Sequence, residues 1–260
     1  MTLTAGSPVI PVFGAATKVG FTTQPGNGTG GSDLSTQPVV AVQDAGGNTV
    51  TTATNSITLA IGTNPSGGTL SVTTNPVTAV NGVATFAGIK INLVGTGYTL
   101  TATPSGGLTA ATSTAFNITV GAASQVAFTQ QPGGSSVTGG VFPTQPKVTV
   151  EDTGGNTVTG SSASIVLSIT SGTGTAGATL ICTGTGTNGT TFAASSGVAT
   201  ATGCKIDKAG TGYKLHATSG TLTAADSSRQ LRHHLQHGQL HDQHQAGIRD
   251  PECVGEDLRQ

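Results

Sequence analysis

Val39-Val40-Ala41-Val42-Gln43-Asp44-Ala45-Gly46-Gly47-Asn48-Thr49-Val50 returns 108 residues later as Lys147-Val148-Thr149-Val150-Glu151-Asp152-Thr153-Gly154-Gly155-Asn156-Thr157-Val158. Val40 and Val42 persist as Val148 and Val150. The residues between them change from Val39, Ala41 and Gln43 to Lys147, Thr149 and Glu151. Apolar side chains kept at every second position, with polar ones substituted between them, mark a strand with one buried face. The Gly-Gly-Asn that follows is a turn signal, and Asp44 and Asp152 hold the same place in it.

The duplication extends to both sides. Thr36-Gln37-Pro38 matches Thr144-Gln145-Pro146, Gly82-Val83-Ala84-Thr85 matches 197–200, and Gly95-Thr96-Gly97-Tyr98 matches 210–213. The offset grows from 107–108 to 115, so the second copy carries about seven extra residues between Ile169 and Gly197. Ile57, Leu59 and Ile61 match Ile165, Leu167 and Ile169 with the same alternation. A period near 107 residues is too long for a solenoid coil and fits one β-sandwich. Each copy therefore reads as about seven short strands in two antiparallel sheets.

Composition agrees. The 260 residues include 40 Gly and 11 Pro, only 8% are charged, and the net charge is −1. That excludes the basic stripe of a nucleic-acid binder. No run of ~20 apolar residues is present to insert in a membrane as a helix. High Gly and Pro alone would suggest low complexity, but the alternation places Gly in turns and Thr on the outward rows of strands.

These residues resemble a known family. Asp44-x-x-Gly47-Asn48-x-Val50, Ile57-Thr58-Leu59, Asn81-Gly82-Val83-Ala84-Thr85-Phe86 and the stretch from Gly95-Thr96-Gly97-Tyr98 to Ala102 are similar to the bacterial immunoglobulin-like domains of invasin- and intimin-type surface proteins. The second copy repeats the pattern at Asp152, Gly155, Asn156, Val158, 197–200 and 210–217. The resemblance covers residues 16–228. It implies an all-β chain of two tandem immunoglobulin-like β-sandwiches, extracellular or on the cell surface, without catalysis or cofactor. Tyr98 and Tyr213, each behind a Gly turn, resemble tyrosine corners, in which the phenol hydroxyl satisfies upstream backbone.

Cys182 aligns with Val72 and Cys204 with Ile89, so two apolar positions became cysteine together. A disulfide bracing the insert at 183–196 is the simplest reading, and it implies an oxidising compartment. Two buried free thiols are the alternative. Two cysteines do not complete a tetrahedral metal shell.

Both ends depart from the pattern. Residues 1–15 read as the remnant strand of a preceding repeat, domain 1 as 16–121 and domain 2 as 122–228. No export signal is legible, and a secreted parent would carry one upstream. All four Arg and five of six His lie in 229–260, and Thr vanishes there. Where domain 2 should repeat Phe116-Asn117-Ile118-Thr119, the chain has Leu231-Arg232-His233-His234. Codons for those four residues, moved one base, admit Phe, Asp or Ala, Ile and Thr. The expectation is an out-of-frame, disordered tail, and a domain 2 that lacks its final strand. The open sheet edge would then accept Val9–Phe13 of another copy, head to tail. His233, His237, His241 and His244 have spacings that would chelate a metal adventitiously on a helix.

Other candidates are weak. Gly172-x-Gly174-x-x-Gly177 and Gly184-x-Gly186-x-x-Gly189 match a dinucleotide fingerprint without its strand–turn–helix setting. Asp44 with Asn48, or Asp152 with Asn156, supplies too few oxygens for calcium. His216 reads as a solvated surface residue, and no Ser-His-Asp set is assembled from the sequence. The partners expected are neighbouring repeats of a longer array and a host or environmental surface. The function expected is a spacer, stalk or adhesion segment. The alternatives are a glycan- or surface-binding module, with Phe192 as the aromatic in the insert, and an accessory module of a secreted hydrolase.

Overall fold

The computed structural model describes residues 13–137 and 139–234. It is all-β, and the chain divides into two compact units, Met1–Ser124 with Glu151–Val158, and Gln125–Val150 with Thr159–Gln260.

The first sandwich is built from β1 (Lys18–Thr23), β2 (Gly28–Thr29), β3 (Val39–Gln43), β4 (Ser56–Ile61), β5 (Leu70–Ser71), β6 (Val77–Thr78), β7 (Val83–Thr85), β8 (Lys90–Ile91), β9 (Gly95–Tyr98), β10 (Leu100–Pro104), β11 (Ala111–Thr112) and β12 (Phe116–Thr119). Sheets ordered β1-β3-β7 and β11-β10-β4-β6 are joined by the smaller β2-β12-β9 and β5-β8. Alternation sets the faces. Ile57 and Leu59 of β4 point inward while Thr58 and Ala60 are exposed, and on β10 Ala102 and Pro104, opposite Leu59 and Ile57, are buried with Leu100. Val40, Val42, Phe86, Ile89, Ile91 and Tyr98 complete a core at or below 1% exposure. β-Branched residues suit these rows because their stiff side chains pack on a pleated surface.

The second sandwich repeats the plan with β13 (Gln125–Gln130), β14 (Ser135–Val137), β15 (Lys147–Glu151), β16 (Ser164–Ile169), β17 (Leu180–Ile181), β18 (Thr191–Ala193), β19 (Val198–Thr200), β20 (Lys205–Ile206), β21 (Gly210–Tyr213), β22 (Leu215–Thr218), β23 (Ala225–Asp226) and β24 (Leu231–His234). Its sheets are β13-β15-β19, β18-β16-β22-β23, β14-β24-β21 and β17-β20. β18 pairs with β16 from Ser164↔Ala193 to Val166↔Thr191, in the place that β6 takes beside β4.

One expectation is corrected. The final strand of the second sandwich is present. Leu231 stands opposite Tyr213, as Phe116 stands opposite Tyr98, and it is 2% exposed. Backbone pairing is indifferent to the Arg and His that follow, and one inward Leu fills the place of Phe116. The sandwich therefore runs to His234 rather than Ser228, and the edge expected to be open lies between β14 and β21, filled by β24. Of the proposed remnant strand, residues 1–12 lie outside the described residues, and 13–15 have no regular structure.

Candidate functional site

The turn after β3 is built around a buried carboxylate. Asp44 accepts hydrogen bonds from the backbone N–H of Asn48 (2.9 Å), the Asn48 side-chain amide (3.1 Å) and the backbone N–H of Gly14 (2.9 Å). Gly14 belongs to the peptide leading into the sandwich, so the turn grips its own leader. The Gly14 N–H is the largest cause, followed by the Asn48 amide and the Asn48 N–H, of a carboxyl held at about pKa 2. Asp152 repeats the arrangement with Asn156 N (2.9 Å) and Gly121 N (2.9 Å). In both turns the carboxylate lone pairs are taken by N–H donors, and a calcium ion would need the same lone pairs.

Behind each Gly-Thr-Gly turn stands a fully buried tyrosine. Tyr98 Oη donates to Leu93 O (2.9 Å) and Tyr213 Oη to Lys208 O (3.0 Å), in each case five residues upstream. Gly174 lies against the ring of Tyr213 at φ +69°, and a Cβ there would collide with ring carbons. That gives Gly174 a packing role. Gly172 and Gly177 occupy the same loop, and Gly184, Gly186 and Gly189 surround a 3-10 turn (Thr187–Gly189) in the insert. Neither fingerprint opens an α-helix.

Cys182 and Cys204 are joined by a disulfide, Cα–Cα 4.0 Å. β17 and β20 pair as Leu180↔Ile206 and Ile181↔Lys205, so the cysteines form the next rung of the same ladder. The insert beyond them folds back: Cys182 N donates to Asn188 O and Gly184 N to Gly189 O. Phe192 of the insert is 8% exposed and faces the core. It therefore offers no surface aromatic for stacking a sugar, contrary to the role considered for it.

His216 is partnered rather than solvated alone. Its Nδ1 lies 2.7 Å from Asp226 Oδ1, and Thr170 Oγ1 donates to the same oxygen (3.0 Å). These bonds, His216 first, lower the Asp226 pKa from its ordinary value. Register places Ser168, His216 and Asp226 in one row across β16, β22 and β23. The row lies on an open sheet face, His216 and Asp226 being 37% and 50% exposed. Water screens such a pair, and it supplies little stability. Of the histidines with chelating spacing, His233 is in β24, and His237, His241 and His244 lie outside the described residues. Among the described residues no group of three His, Cys, Asp or Glu could hold a metal.

Side-chain amides missed in the sequence complete the edges. Gln37 accepts from Ile89 N (2.8 Å) and donates to Leu34 O (3.0 Å). Gln145 does the same with Cys204 N (2.8 Å) and Phe142 O (2.8 Å). Asn75 takes both backbone groups of Leu59, standing in for a neighbouring strand. The Thr-Gln-Pro repeat was the available signal for the glutamines. Beside Asn75, a shallow groove of about 490 Å³ lies along Leu59, Ala60 and Ile61 of β4 and is closed by Leu70 and Val72.

No protein-family model matches the chain, and no curated protein matches it. Similar solved structures include the D0-D1 domain of intimin, 16% identical over 84% of this chain and 98% of that one, with a TM-score of 0.31. The Escherichia coli adhesin FdeC is 21% identical over 86% of this chain and 67% of that one, TM-score 0.28. Parabacteroides merdae β-glucuronidase is 14% identical over 82% of this chain, TM-score 0.32, and the chain spans 24% of that enzyme's length.

Proposed function

We propose that this chain is a non-catalytic spacer or adhesion segment of an extracellular repeat protein, of the kind its bacterial immunoglobulin-like motifs suggest. One observation carries the reading. The same sandwich is built twice in tandem, and in each copy the turn aspartate holds the peptide that leads in, Asp44 on Gly14 and Asp152 on Gly121. Each turn thus fixes the peptide that it grips. The Cys182–Cys204 disulfide supports an oxidising compartment, and the scarcity of charge gives a surface with little electrostatic steering. The partners are neighbouring repeats in a longer array.

The test is location together with thiol state. Intact cells of the source organism should bind an antibody raised against the chain, and Cys182 and Cys204 should resist alkylation until a reductant is added. Recovery only from the cytosolic fraction, with both thiols alkylated at once, would overturn the proposal.

A further inference from the structure

The opening and closing stretches of each sandwich run side by side in the same direction. In the first, Lys18 bridges Thr109 in parallel, with Val19 N donating to Thr109 O (3.0 Å) and Thr109 N to Thr17 O (2.9 Å). Further along, β2 pairs in parallel with β12 at Gly28↔Ile118 and Thr29↔Thr119, and Gly30 N donates to Thr119 O (2.9 Å). Between these points the opening stretch switches sheets at Gln24-Pro25-Gly26, where Pro25 has no N–H to offer a ladder. Two side chains span the gap. Gln24 Oε1 accepts from Thr114 N (2.9 Å) and Asn27 Oδ1 from Asn117 N (2.7 Å). Residues 17–30 are thus tied to residues 109–119 from end to end.

The second sandwich rebuilds the arrangement with different residues. Gln125 bridges Thr223 in parallel, and Val126 N donates to Thr223 O (3.0 Å). Gln131 Oε1 accepts from Ser228 N (2.9 Å). β14 and β24 pair in parallel from Ser135↔Arg232 to Val137↔His234. Strong divergence after Ser228 has left the parallel pairing intact.

Direction decides what a pull does. When the first and last stretches are parallel, the chain enters at one end of the pair and leaves at the other. Tension on the termini then slides one stretch along the other, and the hydrogen bonds between them are loaded together. Antiparallel terminal strands would instead open one bond at a time. We infer that each sandwich is a force-bearing module whose mechanical clamp is this parallel pair, residues 17–30 against 109–119 and their counterparts in the second copy. The inference rests on the stalk reading for its biological use. Its test is mechanical, so a cytosolic location would overturn the stalk and leave the clamp standing.

The full chain, tethered by its two ends, is held at constant force in magnetic tweezers and the unfolding lifetimes are recorded. The two sandwiches are told apart by reductant. The disulfide hides a loop of sequence separation 22, so reduction lengthens the second sandwich's release by roughly 75 Å at ~3.5 Å per residue and leaves the first unchanged. Two variants of the first sandwich are compared. Asn27→Ala removes a clamp bond. Asn55→Ala removes a side-chain bond of similar length, to Ser105 O (2.9 Å), outside the parallel pair. Urea unfolding is measured for both, to show that each remains folded. Asn27→Ala should shorten the first sandwich's lifetime roughly five-fold, the worth of one ordinary hydrogen bond, and Asn55→Ala should leave it unchanged. An unchanged lifetime for Asn27→Ala, or equal shortening by both variants, would overturn the clamp.

Discussion

Giving the second sandwich the residues of the first at its cysteine positions, Cys182→Val with Cys204→Ile, isolates what the disulfide contributes. The cross-link closes a loop of sequence separation 22. In the chain-entropy description that restricts the unfolded chain by about 3 kcal/mol at 25 °C. The substitution returns part of this. Ile89 is fully buried and Val72 half-buried in the first copy, and the added methyl groups recover ~1 kcal/mol of apolar burial. The backbone support survives, because Gln145 bonds the main chain of residue 204 and not its sulfur. The net loss is about 2 kcal/mol, or a fall of roughly 8 °C in Tm for a sandwich of this size.

Calorimetry of the full chain should show one transition moving by that amount and the other staying in place. Reductant on the unaltered protein should move the same transition further, since the thiols bring no compensating methyl groups. The reasoning is refuted if neither the double variant nor the reductant moves a transition by more than ~2 °C. It is also refuted if the double variant falls further than the reduced protein, because the aligned Val and Ile would then not fit the second core.

Four further outcomes follow from single residues. Tyr98→Phe and Tyr213→Phe each lose one buried hydroxyl bond and should lower urea stability by ~1 kcal/mol; a change confined to one of them would break the equivalence of the two corners. Gly174→Ala combines φ +69° with a collision against the Tyr213 ring, so its loss should exceed ~1 kcal/mol and surpass that of Tyr213→Phe. Leu231→Ala should lower the unfolding free energy of the second sandwich, read from urea titration, by ~2–5 kcal/mol, and a silent substitution there would deny β24 its place. The fourth concerns acid. The Asp44 pKa is about 2 folded against an ordinary 3.8, so the unfolded chain binds the proton more tightly. Its contribution is complete above about pH 4 and disappears as pH falls toward 2. Asp44→Asn should therefore flatten the acid limb of the first sandwich between those values in urea titrations, and an unaltered limb would place the sensitivity elsewhere.

What the sequence made legible and what it hid divide along one physical line. Comparing the two copies exposed the positions that bury large apolar side chains, but not Ala41 and Thr149, which are buried in the row that the alternation read as outward. Val40 and Val148, Leu59 and Leu167, and Tyr98 and Tyr213 all face inward as the alternation required. The hidden features are those in which the backbone, or an amide imitating it, does the bonding. β24 escaped because Leu-Arg-His-His has lost the look of Phe-Asn-Ile-Thr, although a strand needs only N–H and C=O groups and one apolar residue at the Tyr213 rung. Gln37, Gln145 and Asn75 are ordinary surface letters in the sequence, and their roles exist only where a strand edge stops short. His216 and Asp226 lie ten residues apart and meet only through register.

The parallel pairing of opening and closing stretches belongs to the same hidden class. It is written in topology, not in any motif, and this explains how it survives the change in composition after Ser228. Selection on a core acts through side chains, so cores keep their letters. Resistance to pulling acts through the direction in which two backbones run, and direction persists while Phe116 gives way to Leu231 and Asn117 to Arg232. If the clamp is what these sandwiches are kept for, their closing strands should tolerate more substitution at outward positions than their inner strands do. Asn117→Arg gives up only the bond from Gly97 N (3.0 Å), on the antiparallel side of β12, so it should shorten the first sandwich's lifetime under force less than Asn27→Ala does. A swap that weakened the sandwich as much as Asn27→Ala would mean that side-chain identity, not strand direction, sets its strength.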